Sequence, residues 1–207
     1  VITANGQNYT FDAVLYATGR KPNTANIGLE NTDITTNERG AIVVNDTCES
    51  SVPGVYAVGD VNGGPQFTYI SLDDFRIVFG ALTGNGQYTL KDRKNIPYTT
   101  FLTPPLARVG LTEEDAINKG YTVKTKEMLV ATMPRAHVND YLKGAFKIVV
   151  NADNDLILGA TLYSQGAEEL INLIKMAMDN NIPYTYFKNQ IFTHPTMAEN
   201  LNDLCNF

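Results

Sequence analysis

The stretch from Ala145 to Asn181 constrains the fold most. Two apolar runs of strand length, Ala145 to Val150 and Leu156 to Tyr163, flank the polar segment Asn151-Ala152-Asp153-Asn154-Asp155. That order predicts a hairpin. A helical pattern follows over Ala167–Asn181, with Leu170, Ile171, Ile174, Ala177 and Met178 along one face. A one-faced helix beside a hairpin must bury its stripe on a sheet. Upstream, Tyr98 to Leu102 suits a strand, and Thr112-Glu113-Glu114-Asp115 is a capping box opening a short helix that Gly120 closes. Strand, helix, hairpin, helix and a last short helix make an α+β pattern for this half.

The first half reads differently, as short strands and turns. Val1 to Thr3 and Tyr9 to Phe11 flank Asn5-Gly6, a hairpin-turn signal. Ala13 to Ala17 is an apolar run ended by Thr18-Gly19. Ala41 to Val44 predicts another strand, and Gly54 to Val58 one more, entered through Val52-Pro53 and ended at Gly59-Asp60. Ser71 to Leu82 carries Leu72, Phe75, Ile77, Val78, Phe79 and Leu82 and predicts a helix. Residues 83 to 97 are polar, contain glycine and end in proline, which marks a linker.

Composition removes several classes of function. With 22 acidic against 16 basic residues the net charge is −6, so binding of nucleic acid by phosphate neutralisation is not expected. The apolar runs fall far short of the ~20 residues a membrane helix needs. Cys48 and Cys205 are the two cysteines and His137 and His194 the two histidines. That set suits neither a disulfide framework nor a zinc cluster, so no metal site is expected and a reducing, cytoplasmic compartment is.

Three segments carry candidate chemistry. In Gly54-Val55-Tyr56-Ala57-Val58-Gly59-Asp60 an apolar strand ends in glycine and then a carboxylate. Ligands of open α/β sheets sit at such carboxyl ends, and Asp60 suits the hydroxyls of a polyol; a plain strand-to-turn junction has the same sequence. Ala17-Thr18-Gly19-Arg20-Lys21-Pro22-Asn23-Thr24 reads as a tight turn and ordered loop after a strand. In His194-Pro195-Thr196-Met197-Ala198-Glu199 a proton-shuttling histidine stands five positions before a carboxylate that can orient its ring. Thr196 to Glu199 is also a T-x-x-E capping box, so Glu199 has a structural use as well.

Together the segments resemble the flavin-dependent pyridine nucleotide–disulfide oxidoreductases, the family of glutathione reductase and dihydrolipoamide dehydrogenase. Ala17 to Thr24 is similar to the A-T/I-G-R-x-P-N motif, and Ser51 to Asp60 to the second FAD motif. Arg108-Val109-Gly110-Leu111-Thr112-Glu113 resembles the start of the interface domain, and His194-Pro195-Thr196 with Glu199 the terminal catalytic dyad. The resemblance implies an α+β interface (dimerisation) domain over residues 96–207, preceded by the C-terminal part of an α/β FAD-binding domain over 17–95 and the end of an NAD(P)H-binding domain over 1–16. It implies cofactor contacts at Gly19, Arg20, Gly59, Asp60, Val61 and Pro195, with Asp60 on the FAD ribitol and Val61 near the phosphates. His194 and Glu199 would serve the flavin and dithiol of the other subunit in a homodimer. The parent enzyme would pass electrons from NAD(P)H through FAD to a cysteine pair and then to a disulfide or small-molecule acceptor.

Gly63-Gly64-Pro65-Gln66-Phe67-Thr68-Tyr69-Ile70-Ser71-Leu72-Asp73-Asp74-Phe75-Arg76, with Thr103-Pro104-Pro105-Leu106 and Gln190 to Pro195, looks like the bacterial reactive-chlorine resistance reductases, which implies oxidant defence. Mercuric reductases fit less well, because they lack the His-Pro dyad and end in paired cysteines. No Gly-x-Gly-x-x-Gly loop and no close cysteine pair occurs. The chain alone is therefore expected to be inactive, leaving a dimerisation module, or part of a reductase of a metal ion or small electrophile, as alternatives. Asp73-Asp74 is read as a solvated face, Cys48 and Cys205 as incidental thiols, and Tyr184 and Tyr186 as lining a dimer contact.

Overall fold

A computed structural model describes all residues, Val1–Phe207. The chain falls into two compact units, Val1–Asp92 and Arg93–Phe207.

The first unit opens with a hairpin. Strands β1 (Ile2–Ala4) and β2 (Gln7–Tyr9) pair antiparallel, with Ala4 opposite Gln7. The two turn residues, Asn5 and Gly6, have φ of 51° and 75°, the hand that a two-residue hairpin turn requires. Three predicted strands are absent. Residues 13–17 form no strand, and Leu15 and Tyr16 are exposed. Ala41–Val44 and Gly54–Val58 reduce to single bridges, Thr36 to Ile42 and Glu49 to Tyr56. An extended segment becomes a strand only when a neighbour completes its ladder, and these segments have at most one rung.

Helix α1 (Thr68–Thr83) contains the predicted span and ends at Gly84. Ile70, Asp74 and Ile77 are its buried residues, and Ala41, Ile42, Cys48 and Ala57 are the other buried hydrophobic residues of this unit. Leu72, Phe75, Phe79 and Leu82 form an exposed apolar stripe. The burial of Asp74 corrects the solvated-face reading; Asp73 alone is partly exposed.

The second unit is a five-stranded antiparallel sheet in the order β3-β4-β7-β6-β5. Its strands are β3 (Tyr98–Thr100), β4 (Leu106–Gly110), β5 (Val123–Leu129), β6 (Ala145–Asn151) and β7 (Ile157–Tyr163). The predicted hairpin is β6–β7, with Phe146 opposite Leu162 and Ile148 opposite Ala160. These four side chains are buried, and the stripe of the long helix packs in the same core through Leu170, Ile171 and Ile174. Strand β5 was not evident beforehand. Lys124, Lys126 and Glu127 break its apolar pattern, as suits an edge strand that must not recruit another chain.

Five α-helices and a short 3-10 turn, Val130–Thr132, complete this unit. Helix α2 (Glu113–Asn118) has the predicted capping box: Asp115 N–H donates to Thr112 Oγ1 at 3.0 Å, and Thr112 N–H to Asp115 Oδ2 at 3.2 Å. Thr112 Oγ1 also donates to Asp115 Oδ2 at 2.6 Å, and that bond, with the one from Thr112 N–H, holds the Asp115 carboxyl below its usual range. The others are α3 (Pro134–Val138), α4 (Ala167–Asp179), α5 (Tyr184–Asn189) and α6 (Asn200–Leu204). Tyr184 is buried, with its ring edge-on to Phe207 at 4.9 Å, so only Tyr186 of the two tyrosines stays exposed for a contact.

Candidate functional site

The geometry of the second unit centres on the ten-residue connection between α5 and α6. It carries a cis peptide bond between His194 and Pro195. His194 Nδ1 lies 2.8 Å from Glu199 Oε2. An ionised carboxylate only accepts, so the network assigns the proton to Nδ1 and leaves Nε2 as the basic nitrogen. The two side chains sit differently: that of His194 is 73% exposed and that of Glu199 only 17%. Glu199 Oε1 is buried with no hydrogen-bond donor. The chain thus embeds the carboxylate and presents the ring, with Pro195 exposed beside it.

The two readings of Glu199 are both partly realised. Its backbone N–H donates to Thr196 Oγ1 at 3.2 Å, the bond that one arm of a capping box would make, although α6 begins one residue later with Glu199 as its N-cap. Its carboxylate turns to His194 instead of making the reciprocal arm. Thr196 Oγ1 in turn donates to Thr193 O at 2.7 Å.

In the first unit Gly59, Asp60 and Val61 share one short 3-10 turn, Gly59–Asn62. Gly59 is buried with φ 73°, and a Cβ there would stand 2.6 Å from Ser71 Oγ. Asp60 is exposed, and Val61 O accepts from Ile42 N–H at 3.0 Å. Asp74 secures this turn from α1: its Oδ2 accepts from Gly59 N–H at 2.7 Å and from Asn62 Nδ2 at 3.0 Å. The sequence reading missed this residue. The available signal was an acid set four positions after Ile70 and three before Ile77 on a helix, hence on its inward face. Gly19 (φ 102°) and Arg20 lie in an exposed irregular stretch.

The remaining reactive groups are quiet. Burial pushes the Cys205 thiol up to about 12 against the pull of Lys126. A thiol so placed is a poor nucleophile. Cys48 is buried as well. His137 Nε2 lies 2.8 Å from Ala131 O, on an exposed stretch. No helix is long and apolar enough to cross a membrane.

Residues 96–205 match the dimerisation domain of pyridine nucleotide-disulphide oxidoreductases, and residues 1–74 match the pyridine nucleotide-disulphide oxidoreductase domain. The chain belongs to this family. Its fold is accordingly an α+β dimerisation domain preceded by the C-terminal part of an α/β FAD-binding domain. The family uses FAD and NAD(P)H. The probable pyridine nucleotide-disulfide oxidoreductase RclA of Escherichia coli is 49% identical over 193 residues, which are 93% of this chain and 44% of that protein. A mercuric reductase of Staphylococcus aureus is 37% identical over 97% of this chain and 37% of its own length. Among solved structures, the HOCl-induced flavoprotein disulfide reductase RclA from Escherichia coli superposes with a TM-score of 0.89 at 48% identity, over 91% of this chain and 43% of that one. The chain therefore spans less than half the length of the relatives it matches.

Proposed function

We propose that this chain is the C-terminal part of an FAD- and NAD(P)H-dependent disulfide oxidoreductase that works as a homodimer, with residues 1–16 closing the NAD(P)H domain, 17–95 in the FAD domain and 96–207 at the dimer interface. FAD, when bound, would supply the carrier between pyridine nucleotide and a cysteine pair. The observation that carries the reading is the His194–Glu199 pair at 2.8 Å, with its carboxylate embedded and its ring outward. A ring held at Nδ1 offers Nε2 as a base and, once protonated, as an acid; Glu199 would stabilise that cation. In the homodimer the exposed ring would meet the dithiol of the other subunit and hold or release the proton of a thiolate.

The Gly59–Asn62 turn fits one edge of a flavin site. Its backbone comes close to α1 only because residue 59 lacks a Cβ, and Asp60 stands exposed on it. Asp60 would accept hydrogen bonds from ribitol hydroxyls, and Val61 would lie near the phosphates. Gly19, Arg20 and Pro195 would contribute contacts, Pro195 from beside the dyad. No glycine-rich diphosphate cradle occurs in this chain, so the chain alone would not turn over.

The resemblance to an HOCl-induced reductase supports a role in oxidant defence. The mercuric reductases among the relatives support a second reading, reduction of a metal ion or small electrophile. Anaerobic titration with NADPH of the enzyme that carries this chain tests for the cysteine pair beside FAD and leaves the acceptor to be found by assay. A long-wavelength band between thiolate and flavin after two electrons is expected for a disulfide reductase; bleaching without that band refutes it. His194→Ala is expected to cut turnover with a disulfide acceptor by about 10²-fold or more. Unchanged turnover would remove the dyad from the mechanism.

A further inference from the structure

The His194 ring is held by little besides its bond to Glu199, because its side chain is 73% exposed. Whether the ring meets the carboxylate therefore depends on where the backbone places residue 194. Two side chains of one helix face control that placement. Glu199 is the N-cap of α6, and Asn202 lies three positions on, with its N–H bonded to Glu199 O at 3.0 Å. Residues three apart on a helix share a face.

Asn202 acts on the start of the connecting segment. Its Nδ2 donates to Phe187 O at 2.6 Å and to Gln190 O at 3.0 Å, with Lys188 O at 3.3 Å. These carbonyls belong to the end of α5 and the residue after it, where a helix runs short of internal donors; Phe187 O alone also accepts from Gln190 N–H, at 3.3 Å. Helix α6 is itself anchored. Lys126 Nζ on β5 donates to Asp203 O at 2.7 Å and to Asn206 O at 2.6 Å, and Leu201 and Leu204 are fully buried. The segment 190–194 is thus attached to a fixed helix at two points, by Asn202 at its start and by Glu199 at its end.

We propose that Asn202 is a positioning residue for the His194–Glu199 pair, setting the backbone path that brings Nδ1 to the carboxylate. A neutral amide suits the task. Its NH2 group gives two donors to clustered carbonyls, whereas a carboxylate would face them acceptor to acceptor and an apolar side chain would donate to none of them, leaving Phe187 O only the Gln190 N–H at 3.3 Å. The significance of the pair rests on the reading above, but the positioning role can be tested without turnover.

The test is nitrogen NMR of the 15N-histidine-labelled chain. There are two histidines, so His137→Gln assigns both signals. Wild type is expected to show His194 protonated at Nδ1, with a protected proton. Asn202→Leu keeps the volume and removes both donors. It is expected to accelerate exchange of that proton by about tenfold or more and to shift the tautomer towards Nε2–H, while the His137 signal stays in place. Asn202→Ser, with one donor and little disturbance, should fall between the two and serves alone if Asn202→Leu does not fold. Glu199→Leu, which removes the acceptor, marks complete loss of the His194 Nδ1 hydrogen bond. His194 signals unchanged in Asn202→Ser and Asn202→Leu would overturn the proposal, as would a wild-type His194 not protonated at Nδ1. Unchanged turnover in His194→Ala would refute the relay and leave the positioning result standing.

Discussion

Replacing Asp74 by alanine should loosen the Gly59–Asn62 turn without touching the sheet of the second unit. Asp74 is fully buried, and its Oδ2 accepts from Gly59 N–H at 2.7 Å and Asn62 Nδ2 at 3.0 Å. Truncation strands both donors. A buried donor left unpaired costs about 1–3 kcal/mol. Asn62 Nδ2 keeps Ala57 O at 3.3 Å, so its share is the smaller one. The sum is about 2–4 kcal/mol of local stability. Two units can unfold separately, which makes a single global midpoint a poor readout. Peptide-resolved hydrogen exchange is the right assay. At about 1.4 kcal/mol per tenfold, amides of residues 57–64 should exchange about 30-fold faster or more, while peptides from 145–163 stay unchanged. Asp74→Asn retains an acceptor oxygen and should lose about half as much. A change below about twofold in residues 57–64 of Asp74→Ala would refute the claim that this carboxylate supports the turn.

Two further outcomes test the packing of the second unit. A Cβ on Gly159 would stand 2.1 Å from Leu111 O, which is backbone and cannot move aside, so Gly159→Ala should cost about 3 kcal/mol or more in thermal or denaturant unfolding of that unit. The Cys205 thiol, raised to about 12 from an ordinary 9.0, binds its proton more tightly folded than unfolded. Its contribution is therefore complete below pH 9.0 and is lost as pH rises through about 12. Wild type should lose stability faster than Cys205→Ala over that window, and native Cys205 should resist alkylation at pH 8 until denaturant is added; rapid native alkylation would contradict the burial.

The local features were legible because near neighbours in the chain decide them. Asn5-Gly6 requires positive φ whatever surrounds it, and the Thr112–Asp115 cap closes within one turn. The apolar stripe of α4 and the apolar runs of β6 and β7 need only some core to face. The spacing from His194 to Glu199 allowed a hydrogen-bonded pair and equally a capping box. Only the folded connection between α5 and α6 turned the carboxylate to the ring while keeping one capping bond. The misread features depend on partners distant in sequence. Residues 13–17, 41–44 and 54–58 are apolar enough for strands, yet strand identity belongs to a pair of segments. Asp74 looked like a surface acid because its partners, Gly59 and Asn62, precede it by more than ten residues. Asn202 joins α6 to α5, and Lys126 joins β5 to the last turn of the chain. Periodicity and capping chemistry are written locally in the sequence. Which polar group is buried, and which carbonyls it satisfies, is decided when remote segments compete for the same donors and acceptors in the assembled core.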